Sequence, residues 1–349
     1  MIPVSKPSIT DLEKKYVNEA LESTMISGSG DFVSRFEIMW AYYNSYRHGI
    51  ACNSGTTAMH LALRALGIGS GDEVLVPEFT MASTAWAASY TGATPVFIDC
   101  TRDSLSMDPK KLESAITKKT RAIMPVHVYG RRVDPEVYEI ARRHKLYIIE
   151  DMAEAHGIMP QGDIACYSFQ GNKIITTGEG GMCLTDDPVW AEEIRKLSSL
   201  YFDADRTMLH AKGGYNYRMT NLQAAIGCAQ VERIDELLEK RCQVEAWYGK
   251  YLPDEYKMPT RDVVWMYDIK FSDSNIYNKG QERMKKHLFD NGIDSRYGFK
   301  PMSQQPMYKR EYYENLKAYE WSKKILYLPT YPDLTEEEIK YICKTISTL

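Results

Sequence analysis

From residue 49 to residue 186 the chain repeats one alternation: a short apolar run, a longer segment with helical spacing of its apolar residues, then another short apolar run. "GIACNSG" reads as a strand ending in a turn, and "GTTAMHLALRALG" as a helix stopped by Gly67. "DEVLVPE", "TPVFIDC", "RAIMPVHVYG" and "LYIIED" read as further strands. Helices separate them at "MASTAWAASYTG" and after Asp108-Pro109 and Asp134-Pro135, where proline takes the first helical position. Strands that are apolar at nearly every residue and are joined by helices form a parallel sheet covered on both faces. Ligands of such a sheet gather at the carboxyl ends of its strands. Those ends are Asn53-Ser54-Gly55-Thr56, Pro77-Glu78-Phe79-Thr80, His127 and Glu150-Asp151.

Two more strands, "IACYSF" and "GGMCLTD", follow. Upstream, Thr10 and Glu13 form a capping box that opens a helix running to about Ser23. From about Val189 the sequence turns helical, notably in "TNLQAAIGCAQVERIDELLEK". Past residue 250 the texture changes. "DVVWMYDIKF" reads as a strand, with a helix near 275–291 and a last one near 335–347. The expectation is an α/β protein: a large domain with an N-terminal segment over 1–245, and a smaller C-terminal α/β domain over 246–349. A chain of 349 residues exceeds what one core usually supports.

The net charge of −4 offers no basic field for nucleic acid. No run of apolar residues is long enough to span a membrane, and "MIPVSKPSIT" lacks the apolar stretch of a signal peptide. Seven cysteines are scattered without C-x-x-C spacing or a histidine at zinc spacing. They predict reduced thiols in a cytoplasmic protein and no metal site.

The chemistry centres on "SFQGNKIITTGEGGM", residues 168–182. Lys173 stands there between an apolar strand and a glycine-rich turn. A lysine in an apolar pocket has a lowered pKa and becomes a nucleophilic amine, suited to condensing with an aldehyde. Pyridoxal phosphate is such an aldehyde, and its ring nitrogen needs an acidic partner. Asp151, ending "LYIIED", can supply one. The phosphate needs free N–H groups and hydroxyls, which Gly55 and Thr56 at a helix start and Ser168 can offer. Each signal alone has an ordinary reading: a helix cap, a turn aspartate, a surface lysine. His127 and His156 read equally as satisfied interior histidines, and Glu179 as a turn charge. It is the order of the three that points to a cofactor site: anion turn, acid at a strand end, lysine between strands.

Those residues lie within a longer set of segments: "ISGSG", "NSGTTAMHLALRALGIGSGDEVLVP", "GATPVFID", "MPVHVYG", "IIEDMAEAHG", "SFQGNKIITTGEGGM", "GYNYRMTNLQAAIGCAQVERID" and "LPTYPDLTEEEI". In this order, over nearly the whole length, the chain resembles the DegT/DnrJ/EryC1/StrS family of sugar-nucleotide aminotransferases. The resemblance implies the fold type I architecture of pyridoxal-phosphate enzymes. "GNKIITTGEGGM" with "NYRMTNLQAAIG" is most similar to the perosamine-type branch, with viosamine-type 4-aminotransferases close to it. By position, the resemblance makes Lys173 the lysine joined to the cofactor and Asp151 the partner of the ring nitrogen. It places Glu154 near the ring hydroxyl, and Gly55, Thr56 and Ser168 on the phosphate. Asn216 would reach the phosphate in the neighbouring subunit, which implies a homodimer with shared sites. Met81 takes the position where many relatives stack an aromatic on the pyridine ring. Arg296, Lys300, Ser303 and Trp265 are the candidate sugar-nucleotide contacts, with a surface salt bridge as the alternative for Arg296. "GIMPQGD" is shorter than in many relatives, and "KPMS" stands where they often read "HPMH".

The implied reaction passes the amino group of L-glutamate, by way of pyridoxamine phosphate, to C4 of a nucleotide-linked 4-keto-6-deoxyhexose. Rival readings are amination at C3, a pyridoxamine-dependent sugar dehydratase and a non-catalytic regulator on the same scaffold. The dehydratases carry histidine where Lys173 stands, and a regulator needs neither Lys173 nor Asp151.

Overall fold

The computed structural model describes residues 1–101, 105–202, 208–272, 280–309, 311 and 313–349. Seven strands form the main sheet: β1 (His48–Cys52), β2 (Glu73–Pro77), β3 (Thr94–Ile98), β4 (Thr120–Ile123), β5 (Tyr147–Asp151), β6 (Ile164–Ser168) and β7 (Gly181–Thr185). Their order across the sheet is β1-β7-β6-β5-β4-β2-β3. Only β7 runs against its neighbours, pairing antiparallel with β1 and β6, while the other pairs are parallel. Every residue of β6 and β7 is buried, as expected for strands covered on both faces.

The helices begin where their caps dictate. Thr10 and Glu13 cap α1 (Asp11–Glu22) reciprocally, and Ser54 with Thr57 does the same for α3 (Gly55–Ala65). Helix α2 (Asp31–Tyr43) packs on β1, and α4 (Ala82–Thr91) packs beside α3. Asp108 and Asp134 cap α5 (Pro109–Ser114) and α6 (Pro135–Arg143), each with proline at its start. Helix α7 (Pro188–Ser198) follows β7.

The helical stretch expected after residue 220 forms two helices, α8 (Asn221–Glu232) and α9 (Ile234–Tyr251). They part at Arg233, whose guanidinium reaches back to Glu13 at 2.8 Å. Leu237 of α9 belongs to the core under the main sheet, and Val244 and Tyr248 to a separate core. The expected boundary at 245/246 thus lies within this helix.

The second core is built on a three-stranded antiparallel sheet, β8 (Tyr267–Lys270), β10 (Ile325–Leu328) and β9 (Arg296–Tyr297), in that order. Helices α10 (Gly280–Asp290), α11 (Lys317–Lys324) and α12 (Glu336–Ser347) accompany it. Residues 275–279 of the expected helix near 275–291 lie outside the described residues. The strand expected over "DVVWMYDIKF" starts only at Tyr267, because the backbone before it is engaged elsewhere. Asp262 and Val263 N–H donate to the Gly130 carbonyl, and the Trp265 carbonyl accepts from Arg241. The first residues of the chain also join this unit: Ile2 N–H donates to Gly292 O at 2.7 Å, and Thr330 N–H to Val4 O at 2.9 Å. No helix among the described residues is long and apolar enough to cross a membrane.

Candidate active site

A cavity of about 430 Å³ opens at the carboxyl ends of the strands. Its walls bring together Gly55, Thr56, Met81, Asp151, Glu154, Ser168, Lys173 and Trp265, residues spread over more than two hundred positions of the sequence.

One wall is the start of α3. Gly55 and Thr56 occupy its first turn, where N–H groups have no acceptor within the helix. The Ser54 hydroxyl caps Thr57 N–H, which leaves the two earlier donors to the cavity. Glycine is required at 55, since a Cβ there would stand 2.7 Å from Ser168 Cβ. Glycine is required at 181 as well, where a Cβ would meet the Ser54 carbonyl at 2.2 Å. These close approaches set the Ser168 hydroxyl beside the helix start. The result is a cluster of N–H and O–H donors at a helix N-terminus, which suits a phosphate.

Opposite lies the acid. Asp151, the last residue of β5, is buried. Its Oδ2 accepts from Thr84 Oγ1 at 2.8 Å and its Oδ1 from Ala153 N–H at 3.1 Å. Burial pushes its pKa up, against the pull of these hydrogen bonds and of the Lys173 charge. Its neighbour Glu150 points to the other face, as alternation along a strand requires. There it accepts from Tyr138 Oη at 2.5 Å, from His127 Nε2 at 3.2 Å, and from Gln161 and Gly162 N–H at 2.6 Å each. His127, a candidate strand end, is therefore engaged behind the sheet, and the shortened 157–163 connection is pinned to β5 by Glu150.

Lys173 stands half-buried between these walls. Burial lowers its pKa, opposed by the charges of Glu154 and Asp151, while burial raises that of Glu154. Both shifts favour neutral side chains. Glu154 Oε2 accepts from Tyr129 N–H at 2.7 Å. That donor is delivered by a backbone in the left-handed region, φ 54° at the fully buried Tyr129, a conformation that costs energy for a side chain of this size. Lys173 Nζ sits 4.1 Å from the centre of the Trp265 ring.

Of the other expected residues, four lie outside the cavity. Met81 lines the cavity with half its surface exposed. Ser303 does not line it: its N–H and hydroxyl both donate to the buried Glu78, so the hydroxyl is not free for a sugar. Arg296 is exposed and paired with Asp294 at 3.3 Å, the surface salt bridge that was its alternative. Lys300 is exposed, 5.8 Å from the centre of the Tyr297 ring. Asn216 is exposed outside the cavity, accepting from Arg218 at 2.8 Å. Thr84, Tyr129, Asn172 and Tyr327 were not singled out from the sequence. Thr84 carried one signal, a threonine in the apolar run of a buried helix. Among the described residues no group of histidine, cysteine and acidic side chains is placed to hold a metal ion.

A lysine amine, a buried carboxylate and an anion cradle around one cavity fit pyridoxal phosphate in donor set. The family model of the DegT/DnrJ/EryC1/StrS aminotransferases matches residues 7–347. The chain belongs to this family. It is a pyridoxal-phosphate-dependent sugar aminotransferase. The GDP-perosamine synthase of Caulobacter vibrioides is 43% identical to it, covering 97% of this chain and 95% of that protein. The GDP-perosamine synthase of Escherichia coli O157:H7 is 39% identical, covering 99% and 98%. The structure of Spr1654 from Streptococcus pneumoniae in its PMP form superposes on this aminotransferase with a TM-score of 0.92. The two are 27% identical, and the match covers 100% of this chain and 98% of that one.

Proposed function

We propose that this aminotransferase moves the amino group of L-glutamate to C4 of GDP-4-keto-6-deoxymannose, giving GDP-perosamine. One observation carries the choice of sugar: the 43% identity to a GDP-perosamine synthase, sustained over 97% of the chain.

Bound pyridoxal phosphate supplies the electron sink on which a Cα–H bond can be broken. The residues of the chain do the rest. The Gly55 and Thr56 N–H groups and the Ser168 hydroxyl bind the phosphate. Asp151 holds the proton on the ring nitrogen. Lys173, whose amine is made easier to deprotonate by burial, would hold the aldehyde carbon. Freed by an amino donor, Nζ would be placed to take up and return the proton at the substrate carbon. Glu154 would lie near the ring hydroxyl, where its protonated form could donate. Asn216 completes the phosphate site of the other subunit in a cytoplasmic homodimer.

The test is turnover of the GDP-, UDP- and dTDP-linked 4-keto-6-deoxyhexoses with L-glutamate, compared as kcat/KM. The GDP sugar is expected to lead by at least about tenfold, the scale of one lost hydrogen bond to a charged group. Turnover of only a UDP or dTDP sugar would assign the chain to the viosamine type instead.

A further inference from the structure

Asp151 is held by two donors from two different elements. Ala153 N–H comes from the loop after β5, and Thr84 Oγ1 comes from the first turn of α4. A buried helical threonine ordinarily turns its hydroxyl onto the carbonyl one turn back. Thr84, fully buried, donates to the carboxylate 67 positions away in sequence instead. Behind it, Thr80 Oγ1 lies 3.1 Å from Thr84 Oγ1, also buried. An ionised carboxylate only accepts hydrogen bonds. The Thr84 proton therefore points to Asp151, and the Thr80 proton must point to Thr84. The three side chains form a hydrogen-bonded chain with one direction, in which each link polarises the next.

We propose that Thr84 is a positioning residue for cofactor chemistry: its hydroxyl, backed by Thr80, fixes the Asp151 carboxylate that holds the proton on the cofactor's ring nitrogen. This rests on the role given above to Asp151. Two donors fix the plane of the carboxylate and leave lone pairs for the ring N–H. The Thr84 bond also opposes the rise in Asp151 basicity that burial causes. Without it, Asp151 keeps one donor, Ala153 N–H, so its plane is less firmly fixed and it is easier to protonate, and the ring nitrogen loses a fixed ionised partner.

The experiment loads the full chain with isotopically labelled pyridoxal phosphate. It reads the NMR resonance of the ring nitrogen and the dissociation constant of the cofactor. Thr84→Val keeps the shape and removes the donor. It is expected to weaken cofactor binding roughly tenfold and to move the resonance toward that of an unprotonated pyridine. Thr84→Ser restores both. Thr80→Val moves the resonance in the same direction by less. Should the valine variant not fold, Thr84→Ala against Thr84→Ser makes the same comparison. The proposal is overturned if Thr84→Val leaves both readings at the wild-type values while Asp151→Asn changes them. If Asp151→Asn also changes neither, the role of Asp151 fails, and that of Thr84 with it.

Discussion

The Lys173 amine rests on the face of Trp265, 4.1 Å from the ring centre, while the indole Nε1–H of Trp265 donates to the Asn172 carbonyl at 3.0 Å. A single side chain from outside the main sheet thus holds both the head of the lysine and the peptide bond behind it. The ring face keeps water from the amine, and the indole N–H bond to the Asn172 carbonyl is worth about 0.5–1.5 kcal/mol in holding the backbone behind it. Trp265→Leu is accordingly expected to lower kcat about tenfold, with the KM for L-glutamate within about twofold of wild type. Trp265→Phe recovers part of the loss. Steady-state kinetics decide it, and an unchanged kcat in the leucine variant contradicts this role.

The assignment of Lys173 itself is open to a chemical test. Borohydride reduction of the loaded protein followed by peptide mapping is expected to find the cofactor on Lys173. Lys173→Ala is expected to fold and to lose activity by at least about a thousandfold, as removal of a covalent and proton-moving group does. Label on any other lysine refutes the assignment.

Glu154 makes a prediction about pH. Burial raises its pKa, so the folded chain holds a proton that the unfolded chain releases above about pH 4.3. The wild-type protein without cofactor therefore loses stability from this group as pH rises, by at most about 1.4 kcal/mol per pH unit until the raised pKa is passed. Glu154→Gln cannot ionise and still accepts from Tyr129 N–H. It is expected to be more stable than wild type at pH 8, with the difference nearly gone at pH 4, as read by urea denaturation. An equal difference at both pH values would show that Glu154 is not held neutral by its surroundings.

Behind the sheet, Tyr138→Phe leaves the buried Glu150 without one of its donors. The expected loss is about 1–3 kcal/mol of stability, with cofactor affinity unchanged because this network faces away from the cavity. A loss of cofactor affinity at unchanged stability would contradict that separation.

The main sheet could be read in advance because its signals are local. Capping boxes at Thr10 and Ser54, prolines after Asp108 and Asp134, and apolar runs of five residues each report on neighbours in sequence. Asp151 and Ser168 at strand ends, and Gly55 and Thr56 at a helix start, stand out for a similar reason, and Lys173 stands out in the glycine-rich connection between β6 and β7. What could not be read is contact at long range. The Ser303 hydroxyl belongs to Glu78, 225 positions away, and the backbone of 262–266 belongs to Gly130 and Arg241. The break between α8 and α9 falls at Arg233, whose guanidinium pairs with Glu13, 220 positions away. The Thr84 hydroxyl is visible in the sequence, but the carboxylate it serves is not.

If Asn216 serves the site of a second subunit, two inactive variants can repair one another. Lys173→Ala mixed with Asn216→Leu, denatured together and refolded, is expected to regain about a quarter of wild-type activity, since half of randomly paired dimers carry one intact site. No recovery, with dimers present by sedimentation, would place Asn216 in its own subunit's site or in none.

The central claim is a pyridoxal-phosphate amination of a nucleotide-linked ketosugar at C4. The most direct measurement incubates the loaded protein with GDP-4-keto-6-deoxymannose and L-glutamate and solves the product by NMR. The account predicts a 4-amino-4,6-dideoxy sugar still attached to GDP, with one 2-oxoglutarate formed for each amino group transferred. A product aminated at C3, or a dehydrated sugar without nitrogen, would contradict it.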